Sequence, residues 1–241
     1  MYTWNARDQL VSLSGPGVTA SFTYDAVGRR KSKTVNGTTT HFLYDGLNVI
    51  QELNGTTPTA NLLTGLSIDE TLLRTDASGP RSFLTDGLGS TLALTDAFGV
   101  MQSQYTYEPF GKTTATGAAS TNAFKYTGRE DDGTGLYYYR ARYYHPALQR
   151  FISEDPIGFN GGDVNLYEYV ENDPVSYVDP EGFGRFRFPR WPRWNPPPGQ
   201  RKPTYKPNPA HHPNNPRKTP EPPDCQEVYK HAVPDDANRA E

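Results

Sequence analysis

Cysteine is almost absent: Cys225 stands alone, so no intramolecular disulfide can staple the chain. No apolar run approaches the ~20 residues that a membrane-spanning helix needs. The opening MYTWNARDQL lacks the basic and apolar regions of a signal peptide, so export would use no standard signal in this chain. Hydrophobic residues make up only 34%, while Gly and Pro number 22 each, which interrupts any long helix. No HExxH motif, P-loop or Ser/His/Asp spacing occurs, and His211, His212, His231 and Cys225 match no zinc pattern. Neither a metal nor a cofactor is expected.

Tyrosine is abundant, with 16 copies beside many threonines, and this composition favours β surfaces. The 241 residues suffice for one large or two small domains. The net charge of −3 conceals an asymmetry. Residues 184–241 carry 11 Lys+Arg and 6 Asp+Glu, which leaves 13 basic and 21 acidic residues in 1–183. An acidic front and a basic end either attract each other or have different partners.

The first fifty residues repeat. Thr3-Trp4-Asn5-Ala6, Thr23-Tyr24-Asp25-Ala26 and Leu43-Tyr44-Asp45-Gly46 stand 20 residues apart, each closing an alternating run. A fixed period of this length marks stacked units that cannot bury an apolar face alone. Each unit reads as a strand, an aromatic, an Asp or Asn that caps a tight turn, and a returning strand. Gly28 fits the second turn, and Arg29-Arg30-Lys31-Ser32-Lys33 reads as a strand with a solvated edge. The pattern loosens over 54–76 and resumes through Asp86-Gly87, Asp96-Ala97 and Glu108-Pro109. The run 113–123, TTATGAASTNA, reads as a linker or loop.

Residues 126–183 form the densest aromatic block and end in two copies of one turn, Asp155-Pro156-Ile157-Gly158-Phe159 and Asp179-Pro180-Glu181-Gly182-Phe183. Within it, Glu130-Asp131-Asp132 lacks the spacing of a calcium loop and reads as a solvated acidic turn. Arg140, Arg142 and Arg150 alternate with tyrosines, which suits cation–π packing better than nucleic-acid stacking.

The 20-residue Tyr-Asp period, with YDAVGR as its best copy, resembles the repeats of Rhs proteins. The block FKYTGREDDGTGLYYYRARYYHPALQRFISEDPIGFNGG…NLYEYVENDPVSYVDPEG resembles the Rhs repeat-associated core domain, shared with Tc toxin C components and teneurins. The resemblance covers 1–183. With the linker or loop at 113–123, it implies an all-β protein: an antiparallel repeat sheet or partial β-shell over 1–112, a core plug over 124–183, and a variable C-terminal segment over 184–241. It also implies a hollow shell that holds a toxin segment. In several members the core cuts the chain once, as an aspartic protease does, just after the second turn motif. Carried onto this sequence, the catalytic pair is Asp155 and Asp179, and the cut lies between Phe183 and Gly184. Such chemistry needs one ionised and one neutral carboxyl, which like-charge repulsion produces when the two are close.

Three features depart from the cleaving pattern. Phe159 and Phe183 replace leucine, although an apolar Phe can fill the same pocket. The spacing of 24 between the aspartates is slightly long. Glu154 replaces an arginine, and it would raise nearby carboxyl pKa values if it faced inward.

The resemblance makes the chain the C-terminal part of a polymorphic toxin or effector. Two other readings stand beside it: a non-catalytic cell-surface module that binds carbohydrate or another cell, and an inactive displaced cassette. The expected partners are the chain's own tail, an N-terminal shell, secretion machinery, and carbohydrate or an anionic membrane, with no specific nucleic acid. The expected location is secreted or cell-surface by a non-classical route, with a cytoplasmic stage before delivery. The tail holds 14 of the 22 prolines, which favours an extended or disordered strap over 189–223. Its run Arg185-Phe186-Arg187-Phe188-Pro189-Arg190-Trp191-Pro192-Arg193-Trp194 suits an anionic membrane or an acidic interior. Residues 224–239 allow one short helix capped by Asp224.

Overall fold

A computed structural model describes residues 1–187. The tail readings, including Cys225, the histidines 211, 212 and 231, the strap and the short helix, lie outside the described residues.

Twelve antiparallel strands form one meander in sequence order. They are β1 (Tyr2–Trp4), β2 (Leu10–Gly15), β3 (Val18–Tyr24), β4 (Arg30–Val35), β5 (Thr38–Asp45), β6 (Asn48–Asn54), β7 (Thr57–Thr64), β8 (Thr71–Asp76), β9 (Gly79–Thr85), β10 (Thr91–Thr95), β11 (Met101–Tyr107) and β12 (Thr113–Gly117). The stretch 54–76, loose in sequence, is a regular continuation through β7 and β8. Residues 113–117 are a strand and not a linker: β12 pairs with β11 over five positions because that edge would otherwise expose its backbone groups.

The repeat period has a physical origin. The Asp25 Oδ1 accepts the N–H groups of Val27 and Arg29 at 3.0 and 2.9 Å, and Asp96 does the same for Phe98 and Val100. Asn5 and Asp86 repeat this turn. The tyrosine before the turn then reaches back. Tyr24 Oη donates to the Leu10 carbonyl at 2.7 Å, and Tyr44 Oη donates to the Arg30 carbonyl at 2.9 Å, one repeat further on.

A four-stranded sheet covers part of the meander: β13 (Glu130–Asp131), β14 (Tyr137–Tyr139), β15 (Arg142–His145) and β16 (Arg150–Phe151). Alternation sorts its side chains. Tyr138 and Tyr143, paired across β14 and β15, pack on Leu10, Leu13, Ala20 and Phe22 of the meander. Tyr137, Tyr139 and Tyr144 point the other way, into a cluster with Tyr126, Phe151 and Tyr169. Aromatic pairs of this kind are each worth about 0.5–1.5 kcal/mol beyond area burial.

Charges seal the two sheets together, contrary to two sequence expectations. Arg30 is fully buried and not at a solvated edge. Its guanidinium meets Glu130 at 2.5 Å, Asp132, and the Tyr138 ring at 4.0 Å. Glu130 and Asp132 are correspondingly buried, so the acidic run is no solvated turn. Lys33 completes the neutralisation of Asp132 at 3.1 Å.

Candidate functional site

The two Asp-Pro turns converge above the β15 face that carries Tyr144. Because Arg142 is paired with Tyr139 and lies two residues before Tyr144, it projects to that same buried face. It stacks 3.7 Å over the Phe151 ring. Its Nη2 lies 3.0 Å from Asp155 Oδ2 and 3.2 Å from Asp179 Oδ2. The carboxylates therefore meet through a guanidinium nitrogen between them. Arg142 also donates to the Gly182 carbonyl at 2.6 Å and to the Leu166 carbonyl at 3.1 Å.

Each Asp is fixed by its own turn. Asp155 Oδ1 accepts the Ile157 N–H at 3.0 Å, and its carbonyl accepts the Gly158 N–H at 2.8 Å. Asp179 Oδ1 accepts the N–H groups of Gly182 and Phe183 at 2.9 and 3.1 Å, and the Gly184 N–H also bears on this carboxyl. The second turn can lie this close only because Gly182, at φ +75°, has no Cβ to strike the Tyr139 carbonyl. Burial pushes the Asp179 carboxyl above its usual value, against the opposing pull of Arg142 and the three N–H groups. Burial likewise pulls Arg142 below the usual guanidinium value, with Asp179 and Asp155 opposing.

The junction peptide lies among these groups. A Cβ added to Gly161 would sit 2.7 Å from Asp155 Oδ2 and 3.1 Å from the Phe183 carbonyl oxygen, so both oxygens border one small space. A cavity of about 30 Å³ is lined there by Arg142, Asp155, Asp179 and Gly184, room for one or two waters. Residues Tyr177–Val178 (β17) pair with Phe186–Arg187 (β18), so Phe183–Gly184 lies in the loop of a hairpin.

The sequence candidates Asp155, Asp179, Phe183 and Gly184 thus come together. Glu154 does not join them: it is exposed and accepts the Tyr167 hydroxyl at 3.1 Å. Phe159, expected to fill a pocket, is 72% exposed. Arg142 was missed as a site residue, although RARYY carries the signal. An Arg on the inward phase of a strand, two residues from an inward Tyr, needs buried counter-charges. Within the acidic run 130–132, Asp132 is paired with Arg30 and Lys33.

Comparison with known proteins matches residues 1–175 to the Teneurin YD-shell family. The chain is 35% identical over 193 residues to the tRNA3(Ser)-specific nuclease WapA of Bacillus spizizenii, covering 75% of this chain and 8% of that protein. It is 31% identical over 218 residues to the double-stranded DNA deaminase toxin A of Burkholderia cenocepacia, covering 75% and 15% respectively. In the crystal structure of TcdB2-TccC3 the matching region superposes with a TM-score of 0.61 at 28% identity, over 75% of this chain and 10% of that one. The chain spans no more than 15% of the length of these proteins. A twelve-stranded Tyr-Asp meander closed by an aromatic core, matched over 1–175, makes this chain a member of the YD-shell family of Rhs-type proteins.

Proposed function

We propose that the chain is the closing end of a toxin-associated β-shell that holds its own C-terminal segment and cuts itself once, between Phe183 and Gly184. One observation carries this reading: Asp155 and the Phe183 carbonyl oxygen both flank Gly161, Asp179 takes the N–H groups of the same junction, and a cavity that fits water lies among them. The proposed step is a hydrolysis. Water in the cavity loses a proton to Asp155 and adds to the Phe183 carbonyl carbon. The charge that develops on oxygen lies in a site containing the Arg142 guanidinium, where a fixed positive charge is most effective. Asp179, whose carboxyl value burial raises, gives its proton to the Gly184 nitrogen as the C–N bond breaks. The products are a carboxyl on Phe183 and an amine on Gly184.

The matching relatives include a tRNA nuclease and a DNA deaminase toxin, which supports a holding role for the shell and delivery outside the producing cell. The purified chain on a denaturing gel tests the cut. The expected result is a fragment of about three-quarters of the mass and a small basic peptide, with Asp155→Asn and Asp179→Asn left whole. An intact wild-type band would remove the proteolytic part of this reading.

A further inference from the structure

A larger recess, of about 230 Å³, opens between the rim of the meander and the core. Val27 and Leu47, at the tips of the β3–β4 and β5–β6 turns, with Tyr44, Tyr138 and Ala141 form its apolar part, and Arg29, Arg129, Glu130, Arg140 and Glu181 its charged rim. Phe183 also lines it, while the Phe183 carbonyl oxygen neighbours Gly161 and Asp155. One residue thus borders both the carboxylates and a recess that the turns of the repeat sheet and the core wall together.

Arg140 holds these parts in register. Its Nη2 lies 2.6 Å from Asp69 Oδ1 and donates to the Leu47 carbonyl at 3.2 Å, while its Nη1 lies 3.1 Å from Asp69 Oδ2 and donates to the Pro180 carbonyl. A single guanidinium therefore joins the rim turn that walls the recess to the Asp-Pro turn that carries the junction. The neighbouring Ala141 N–H adds a bond to the Glu181 carbonyl at 3.1 Å.

We propose that this recess is the subsite for the side chain on the amino side of the cut, that it takes a large apolar side chain, and that Arg140 is its positioning residue. The inference rests on the self-cleavage reading and adds to it: the rim hairpins of the sheet belong to the proteolytic device. Apolar pockets discriminate by roughly 10–200-fold per lost methylene, so trimming the residue at 183 has a readable effect.

The test follows cleavage during cell-free synthesis of the full chain, with samples run on denaturing gels. Cutting is expected to slow in the order Phe183, Phe183→Leu, Phe183→Ala, with the Ala variant at least ~10-fold below wild type. Leu47→Asp is expected to slow it comparably, whereas Leu66→Asp, at a fully exposed neighbouring turn outside the recess, is not. Arg140→Ala leaves Asp69 paired with Arg129 at 2.5 Å, so no buried carboxylate is stranded. Its effect should not add to that of Phe183→Ala, since both act through one seat, whereas a general loss of stability would add. Unimpaired cutting of Phe183→Ala or Leu47→Asp, or full additivity with Arg140→Ala, overturns the subsite and leaves the cleavage reading intact. An uncut wild type removes both.

Discussion

Arg30 Nη2 meets Glu130 Oε2 at 2.5 Å, with side chains 0% and 3% exposed, and this ion pair joins positions one hundred residues apart. It makes the core sheet and the repeat sheet one folding unit. Arg30→Met would leave Glu130 without this partner and Asp132 with Lys33 alone, and stranding buried charge costs about 3–5 kcal/mol. The expected outcome is a large drop in the urea midpoint with little change in slope. Replacing Glu130 and Asp132 by apolar residues in the same variant should recover part of the loss.

A methyl group at position 182 should be intolerable. Gly182 has φ +75°, and an added Cβ would collide with the Tyr139 carbonyl and lie 3.1 Å from the Arg142 nitrogen. Gly182→Ala is expected to lower the melting temperature and to abolish the cut, because the second Asp-Pro turn must lift off Arg142. Differential scanning calorimetry and the denaturing gel read the two effects separately.

Arg142→Lys should not rescue the site despite keeping a positive charge. The guanidinium spans Asp155, Asp179 and two backbone carbonyls with separate N–H groups, and a lysine amine cannot reproduce that fork. The expected result is a folded chain by circular dichroism that stays whole on the gel.

The period of the repeat and the location of the junction were legible in sequence, because each rests on local chemistry: an Asp or Asn capping its own turn, a Tyr at fixed spacing, and a Pro and Gly within each Asp-Pro turn. The burial of Arg30 was not legible. In Arg-Arg-Lys-Ser-Lys both phases of the strand offer a cation, and the choice depends on acids a hundred residues away. The strand at 113–117 escaped for a similar reason, since TTATG has no apolar phase of its own and takes its form from the open edge of β11.

Cleavage should favour acid. The Asp179 carboxyl has its value raised by burial, and it acts only when neutral, so cutting slows as pH rises through that raised value. The same sign governs stability: the contribution is complete below the ordinary Asp value, about 3.9, and is lost as pH climbs through the folded one. Refolding from urea at a series of pH values, with timed gel samples, should show faster cutting on the acid side.

A second titration is expected near neutrality. A hydrogen bond with Asp163, aided by partial burial, raises the Glu168 carboxyl from 4.5 to about 7. Its folded value is raised, so the stability it contributes is complete below about 4.5 and is lost as pH rises through about 7. Glu168→Gln should flatten the melting-temperature profile across that window.

The β17–β18 pairing changes what a cut would accomplish. Hydrolysis at Phe183–Gly184 opens the loop of that hairpin but leaves its ladder, Tyr177 with Arg187 and Val178 with Phe186, in place. The Arg185–Glu171 ion pair then bridges the break, with Glu171 on one fragment and Arg185 on the other. Severance and departure are then separate events. The first is chemical and irreversible, and the second is a noncovalent unlatching that salt accelerates and that an outside pull on the basic strand can trigger.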